Sequence, residues 1–385
     1  MLRHITGMSI RAVTGLGAAA LLLQLLLQLA LVHGDASRFV HAAPPRTDPA
    51  SAPASLTVGP QGTGFDGQFY YRQARAPIST APSVEGITLD LPALRSERIV
   101  YPVLAAAVSL GRLSFLPWAL ILVNVAAGIA LVRLVAALLM RLGHPGAWAL
   151  VLLAYPGFIY TMGFDLAELV ATALLAAGAL ALVQRRWFWA ALAWSLAVLA
   201  RETTAVVPLL TFVIMLTPLG AKQGSRMLRM LSSATPLVLL GVWQLVLREV
   251  FGVIPLSSSG SKNVGVPFKG VLDSASKFSP STTDGAFRLV SIALLVVLVV
   301  VGLQCLRTST LPTALKAAFL AEIAVLSTLS PFVWAGATSF MRAGSELGLL
   351  GVLVVATSTS PLRRFLPLAM GGAWALTLAS QVLKA

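Results

Sequence analysis

A short polar stretch, "DGQFYYRQARAP", begins at Asp66 in a chain in which 57% of the residues are hydrophobic. The residues that follow Asp66 favour a helix that ends before Pro77, which places Asp66 at the helix N-cap. There its carboxylate caps a short interfacial helix, with Tyr70 and Tyr71 in an aromatic belt. Alternatively, the carboxylate takes a proton from an incoming hydroxyl group, as a general base does.

Ionisable residues recur where three later apolar runs end. They are Asp165 and Glu168 in "GFDLAELV", Arg201 and Glu202 in "LARETT", and Arg342 and Glu346 in "MRAGSELG". Each pair has a structural interpretation. Asp165 and Glu168 have the spacing of a capping box, Arg201 suits a helix C-terminus, and Arg342 and Glu346 are spaced as an i, i+4 ion pair.

These groups also have a chemical interpretation if they gather on one side of a membrane. Arginine side chains bind phosphate through paired, charge-assisted hydrogen bonds. A nearby carboxylate can act as a base on a hydroxyl group. Since ionisable residues at membrane depth usually face an internal cavity, the set favours a site for a phosphate-bearing ligand.

The elements that must position these residues are membrane helices. Only 11% of the 385 residues are charged, against about 25% in soluble domains, and the mean hydropathy is +0.86. The net charge of +14 comes from small basic clusters between apolar runs. That pattern is typical of topology signals and argues against a nucleic-acid partner. The only cysteine, Cys305, excludes an intrachain disulfide, and the four histidines lack the spacing of zinc or haem ligands.

The apolar runs predict an all-α, polytopic protein with about eleven transmembrane helices, since about 20 apolar residues cross a bilayer. The first run is long for a signal peptide and is followed by a poor cleavage site, which favours an uncleaved span. The predicted spans lie near 9–33, 116–140, 145–163, 168–184, 188–201, 203–219, 230–250, 285–306, 311–330, 340–359 and 364–384.

A cytoplasmic N-terminus places every short basic loop on the inner side, as the positive-inside rule requires. Two large loops, 34–115 and 252–284, then lie outside within one membrane domain that covers 1–385. The first loop begins with a Pro- and Ala-rich stretch expected to be flexible. It also contains the short apolar segment "RIVYPVLAAAVSLG", predicted to be an interfacial helix. The second loop is predicted to be a mobile lid.

The order of "GFDGQFYY", "RIVYP", "YPGFIYTMGFDLAE" and "LARET" resembles the GT-C superfamily of multispanning glycosyltransferases. The nearest resemblance is to bacterial membrane proteins of cell-surface glycopolymer formation that are distantly similar to GPI mannosyltransferases. It covers roughly residues 1 to 210 and the segment around Arg342. Phe65 stands where the family usually has tyrosine, and this difference leaves the acid itself in place.

The resemblance implies a polyprenyl-phosphate sugar donor, a glycan or glycolipid acceptor, and an inverting single displacement with Asp66 as the base. Arg201 and Arg342 would stabilise the leaving phosphate. The other candidate substrate-binding residues are three acids that orient sugar hydroxyls or position the arginines, and residues of the first loop that line the acceptor side or interface. They are Asp165, Glu168 and Glu202, and Gln68, Tyr70, Tyr71, Arg72 and Tyr101.

Some relatives bind a divalent cation with such acids, but no ligand set is evident in this sequence, so no cofactor and no required metal are predicted. Ala-, Arg- and Leu-rich usage is typical of a high-GC bacterium, which would place the protein in the inner membrane with its site facing the periplasm or cell wall. Two other functions stay open: a lipid or glycan transporter or flippase, and a non-catalytic scaffold of envelope assembly. Because only Glu322 lies deep in a predicted span, the distribution of charge favours chemistry at one surface over passage.

Overall fold

The first part of the chain forms one long helix and a loop built of short helices. The computed structural model describes residues 7–217, 226–258 and 263–383, and within them it contains helices and isolated β-bridges but no β-strand. Helix α1 is capped by the Ser9 hydroxyl. The elements up to residue 109 are α1 (Ile10–Leu31), a 3-10 helix (Ala36–Val40), α2 (Gly67–Arg75), α3 (Pro92–Glu97) and α4 (Val100–Ser109).

The middle of the chain begins with a long helix and continues with shorter ones. Proline occupies the first turn of two of these helices, where its missing N–H costs no hydrogen bond. The elements are a 3-10 turn (Leu113–Phe115), α5 (Leu116–Arg141), α6 (Trp148–Leu153), α7 (Pro156–Gly163), α8 (Glu168–Val183), α9 (Trp187–Ala200), a 3-10 turn (Glu202–Ala205) and α10 (Val206–Leu216).

The last part alternates long helices with short ones. Its elements are α11 (Arg226–Phe251), α12 (Pro255–Ser258), α13 (Lys269–Ala275), α14 (Thr283–Cys305), α15 (Thr313–Ser327), α16 (Pro331–Trp334), α17 (Ala337–Ala343), α18 (Ser345–Ala356), a 3-10 turn (Pro361–Arg364) and α19 (Phe365–Val382).

Within the described residues, five helices are long and apolar enough to cross a membrane. They are α1, α5, α11, α14 and α19, the lengths of α5 and α19 including the turns that precede them. The pair α17 and α18 makes a sixth if it counts as one broken span. The other five predicted spans coincide with shorter or interrupted helices. For example, α8 has 16 residues, which at 1.5 Å per residue gives about 24 Å. The structure is therefore that of a helical membrane protein with five or six full-length candidate spans.

Helix α18 forms the centre of the packing. All 12 of its residues are buried, and α14, α15 and α8 pack around it. Large apolar side chains on the outer helices are exposed instead, such as Leu26 at 64% and Leu368 at 73%. A buried central helix with outer helices that expose apolar faces suits a protein surrounded by lipid.

The first loop is packed onto the ends of the helices. Its Pro- and Ala-rich beginning, expected to be flexible, contains the buried residues Ala42, Ala43 and Thr47. The Thr47 hydroxyl donates to Gln68 Oε1 at 2.8 Å, which ties this stretch to α2. The segment predicted to be an interfacial helix is helical, as α4, and it packs along α5. The loop therefore holds α2 and α3 in fixed positions over the bundle.

Candidate functional site

Asp66 lies between two arginine side chains at the surface of the bundle. Its Oδ1 atom is 2.9 Å from Arg95 Nη1, and its Oδ2 atom is 3.2 Å from Arg342 Nη2. The Asp66 side chain is 24% exposed, whereas that of Arg342 is 8% exposed. Asp66 and Arg342 are 276 residues apart in sequence, so the first loop and helix α17 meet at this carboxylate.

Each of these arginines also has a carboxylate partner of its own. Asp90 accepts hydrogen bonds from Arg95 Nε at 2.8 Å and from Arg95 Nη2 at 2.9 Å. Glu168 Oε1 accepts from Arg342 Nε at 3.0 Å and from Arg342 Nη2 at 2.9 Å. Neither guanidinium group therefore depends on Asp66 for charge compensation.

Aromatic rings support both guanidinium groups. The Arg95 guanidinium lies 4.4 Å from the centre of the Phe69 ring, and that of Arg342 lies 5.1 Å from the Phe65 ring. Phe65 and Phe69 flank Asp66 on the chain, so the same segment supplies the carboxylate and the surfaces on which its partners rest. Cation–π contacts of this kind restrict where the arginines can move.

Arg342 and Glu346 do not pair with each other, so the predicted i, i+4 ion pair is wrong. The chain bends by 54° between α17 and α18, which places the two residues on separate helices. Glu346 instead accepts two hydrogen bonds from Arg201 Nη1, at 3.1 and 2.9 Å. The same nitrogen donates to the Arg342 carbonyl at 3.0 Å. Arg201 therefore bridges the two helices, since it binds the last turn of α17 and also pairs with Glu346 of α18.

A second group of charges adjoins the first. Arg98 binds Glu202 through two hydrogen bonds, of 2.9 and 2.6 Å. Glu97 accepts a hydrogen bond from Gln244 of α11, and its backbone carbonyl accepts one from Trp243 Nε1 at 3.1 Å. Helix α3 is thus fixed to α11, and Arg98, the residue after it, is fixed to Glu202 just after the end of α9.

Asp66 occupies the predicted N-cap position of α2, but neither predicted capping interaction of the acids forms. The Asp66 side chain makes no capping hydrogen bond to α2. Helix α8 begins at Glu168 with Ala167 as its N-cap and no side-chain cap, so Asp165 and Glu168 form no capping box. Asp165 instead adopts a left-handed backbone conformation with φ of 48°. Its carboxyl group is buried, and neither oxygen has a hydrogen-bond partner among the described residues.

The polar residues that follow Asp66 have packing roles. Gln68 bonds to Thr47 and donates to the Phe65 carbonyl at 3.0 Å. Arg72 donates to the carbonyl groups of the 81–87 turn, including Ile87 at 2.7 Å. Tyr71 is fully buried. These side chains point into the first loop and not toward the Asp66 carboxylate's arginine partners.

Tyr70 and Tyr101 form part of the wall behind the site. Their rings meet edge to face at 5.3 Å. The Tyr101 hydroxyl donates to the Leu120 carbonyl at 3.1 Å and accepts from Asn124 at 2.9 Å. Both tyrosines are buried, with 4% exposure for Tyr70 and none for Tyr101. They anchor α2 and α4 to α5, and they stiffen the wall on which Asp66 rests.

Of the predicted site residues, the structure brings together Asp66, Glu168, Arg342, Arg201 and Glu202. It adds Arg95 and Arg98, which sequence reasoning missed. The available signal was the spacing in "LRSERIVYP", where two arginines flank a glutamate just before the interfacial helix.

Within the described part of the chain, no group of three or more His, Cys, Asp or Glu side chains is arranged to hold a metal ion.

Asp66 and Glu97 have pKa values shifted in opposite directions. Burial alone would raise the pKa of Asp66, but the charges of Arg95 and Arg342 outweigh it and lower the pKa to about 2. Burial and the neighbouring Glu202 raise the pKa of Glu97 to about 8. At neutral pH Asp66 is therefore ionised and Glu97 is protonated.

No family model, no curated protein and no solved structure matches the chain.

Proposed function

We propose that the protein is a GT-C-like glycosyltransferase that moves a sugar from a polyprenyl-phosphate donor to a cell-envelope glycan or glycolipid. The observation that carries this proposal is the position of Asp66. It is a partly exposed carboxylate at the ends of membrane helices, held between two arginines that each have another acid. Because Asp66 is not needed to balance those arginines, its presence there is better explained by chemistry than by stability.

In the proposed reaction, the acceptor hydroxyl gives its proton to Asp66 while its oxygen attacks the anomeric carbon. The bond between that carbon and the donor phosphate oxygen breaks, and the lipid phosphate leaves with inversion of configuration. Arg342 and Arg95 are positioned to stabilise the negative charge that grows on the leaving oxygen. Arg201 acts one step away, since it holds the Arg342 carbonyl and Glu346.

The low pKa of Asp66 fits this sequence of events. With both arginines bound to it, the carboxylate is a weak base. A donor phosphate that takes hydrogen bonds from Arg95 and Arg342 would draw their charge away from Asp66 and so raise its basicity. The donor would thus activate the base at the moment when the acceptor hydroxyl needs it.

The proposal includes eleven crossings, with α6 and α7 together, α8, α9, α10 and α15 as short spans beside the six longer ones. A basic residue at the helix ends opposite the site supports this arrangement. Arg229, in the first turn of α11, lies over the ring of Trp187, the first residue of α9, at 5.3 Å. By the positive-inside rule that end is cytoplasmic, so the site faces the periplasm or cell wall of a bacterial inner membrane.

The test is transfer of labelled sugar from a panel of polyprenyl-phosphate sugars in proteoliposomes. Asp66→Asn should abolish transfer while the protein stays folded. Asp273→Asn is the control. It makes the same change at an exposed aspartate of helix α13 and should leave transfer unchanged. Equal transfer by wild type and Asp66→Asn would overturn the assignment of Asp66 as the base.

One observation favours the second candidate function, a lipid or glycan transporter. Discontinuous membrane helices with charged residues at the break are a feature of transporter binding sites, and α17 and α18 form such a break between Arg342 and Glu346. A flux assay with a fluorescent lipid-linked sugar in sealed liposomes separates the two functions. Movement of intact lipid across the bilayer without sugar transfer would favour the transporter, and the absence of both activities would favour a scaffold.

A further inference from the structure

A cleft of about 600 Å³ opens beside the Asp66 cluster, at the same ends of the helices. Its walls come from the last turn of α1, the first loop, the end of α7, the first turns of α14 and α17, and the end of α19. It holds none of the residues assigned above to the reaction. Its lining combines apolar groups such as Leu31 and Phe287 with polar groups such as Gln28 and Gln381.

Gln28 supplies a buried hydrogen-bond acceptor in the lining of the cleft. The side chain is only 4% exposed. Its Nε2 atom donates to the Ile159 carbonyl at 3.1 Å and to Gln381 Oε1 at 3.2 Å, which fixes the orientation of the amide. Its Oε1 atom is buried and has no hydrogen-bond partner among the described residues. A buried acceptor of this kind is costly unless a ligand donates to it.

The charge in the cleft is balanced. Arg38 faces the Asp35 carboxylate at 3.7 Å, and Arg288 binds Asp284 at 2.5 Å. His41 is kept neutral because burial lowers its pKa to about 4. An acceptor atom such as Gln28 Oε1 binds a hydroxyl group and repels phosphate oxygens. The cleft therefore suits a neutral, hydroxylated group, whereas phosphate suits the arginine cluster at Asp66.

The helices around the cleft also expose apolar side chains. Its three long walls belong to helices whose outward side chains are exposed and apolar, as shown by Leu26 on α1 at 64%, Val290 on α14 at 42% and Val382 on α19 at 46%. A ligand with a hydroxylated head at Gln28 and His41 would extend its chain between these helices. This geometry indicates an amphiphile and not a water-soluble polysaccharide.

Only an aromatic wall separates the cleft from Asp66. The His41 ring stacks on Phe164 at 4.1 Å, and Phe164 meets Phe65 edge to face at 4.9 Å. Phe65 directly precedes Asp66 and lies under the Arg342 guanidinium. A head group in the cleft would therefore lie one ring layer from the carboxylate proposed as the base.

We propose that this cleft binds the sugar head of a neutral glycolipid, and that this glycolipid is the acceptor of the transfer. The binding site stands on the cleft's own geometry, while the role as acceptor rests on the proposed function. Gln28 Oε1 accepts a hydrogen bond from a sugar hydroxyl, His41 and Phe164 pack against the ring, and the chain leaves between α1, α14 and α19.

The test is photolabelling of the full-length protein in phosphatidylcholine nanodiscs. The probe is an alkyl glucoside with a diazirine in its alkyl chain, and labelled residues are located by mass spectrometry. Saturable labelling is expected on the cleft faces of α1, α14 and α19. A probe with the same chain and a phosphate head should label these positions much less.

Gln28→Leu should weaken saturable labelling about tenfold, the effect of losing one buried hydrogen bond of about 1.4 kcal/mol. Gln24→Leu is the matched control, because Gln24 is equally buried one turn earlier on α1 and does not line the cleft. Thr338→Trp fills the cleft without touching the Gln28 bonds, so it should block labelling even if Gln28→Leu proves unstable.

Two outcomes would overturn the proposal. One is stronger labelling of the wild type by the phosphate probe than by the glucoside probe. The other is equal labelling of the wild type by both probes, together with undiminished labelling of the Gln28→Leu and Thr338→Trp variants. Asp66→Asn should bind the glucoside probe as the wild type does. If the wild type binds the glucoside probe but transfers no sugar, the proposed function is rejected and the glycolipid site is kept. If the wild type transfers sugar but its cleft is not labelled, the glycolipid site is rejected and the proposed function is kept.

Discussion

Arg342 and Glu346 lie one helical turn apart in sequence, yet they bind partners from different parts of the chain across a 54° break. Arg342 holds Glu168 and Asp66, and Glu346 is held by Arg201. The bend directs one charge toward the first loop and keeps the other inside the bundle. The discontinuity thus divides the charges into an outer, partly exposed group and an inner, buried group.

The inner pair should show the energetics of a buried ion pair. Arg201 and Glu346 side chains are 6% and 0% exposed. Arg201→Leu leaves a buried carboxylate without its partner, so the free energy of unfolding should fall by about 3–5 kcal/mol. Arg201→Leu combined with Glu346→Leu should recover much of that loss. Thermal unfolding in detergent checks this, and a double variant as unstable as the sum of the two single variants would contradict it.

Asp66 and Glu168 should differ in their effect on stability although both bind Arg342. Asp66→Asn leaves Arg342 with Glu168 and Arg95 with Asp90, and the lost pairs are partly exposed, so the cost should stay below about 1 kcal/mol. Glu168→Gln breaks a fully buried pair and should cost about 3 kcal/mol or more. Melting temperatures of the two purified variants provide the measurement. A large loss for Asp66→Asn would show that Asp66 is structural.

Gly67 should not tolerate a side chain. A Cβ atom there would lie 2.6 Å from the Phe164 carbonyl oxygen and 2.7 Å from that of Val40. Because both neighbours are backbone atoms, Gly67→Ala should displace α2 and Asp66, lower stability by about 1–3 kcal/mol and reduce sugar transfer. Gly15→Ala is the control, since no heavy atom lies within 4 Å of its added Cβ. Equal behaviour of the two variants would contradict this close approach.

The contribution of Glu97 to stability should decrease as the pH rises from about 5 to about 8. The pKa of Glu97 is raised from 4.5 to about 8 by burial and by Glu202. Between these values the folded state binds a proton that the unfolded state has released, so raising the pH favours unfolding. Asp66, with its pKa near 2, does not titrate in this range.

Glu97→Gln should remove this dependence. The amide mimics the protonated acid, so the variant's melting temperature should vary less between pH 5 and pH 8 than that of the wild type. The variant should also be the more stable protein at pH 8. A parallel decline of both proteins over this range would contradict the assignment to Glu97.

The helical class and the positions of most helices could be predicted because long apolar runs are typical of membrane helices. The run at 116–140 corresponds to α5, and the run at 285–306 to α14. Helix length was less predictable. Runs such as 145–163 are interrupted at Tyr155 and Pro156, where hydropathy stays high but the backbone turns.

Members of the charge cluster were predictable where a charge interrupts an apolar run, as at Arg201 and Arg342. The pairing of those charges was not, since local spacing favoured Arg342 with Glu346 and the bend at Gly344 separates them. Arg95 and Arg98 escaped prediction because they lie in a polar loop, where arginines are unremarkable. Only the folding of that loop onto the helix ends turns them toward Asp66 and Glu202.

The contact between Asp66 and Arg342 also bears on how the protein is made. A ribosome that has just added Asp66 must still add 276 residues before Arg342 appears. Until then Asp66 lacks Arg342, and Glu168 lacks the guanidinium group that binds it in the finished protein. Insertion of α17 and α18 near the end of synthesis therefore completes the cluster, so a nascent chain acquires its finished site only when its membrane assembly is nearly over.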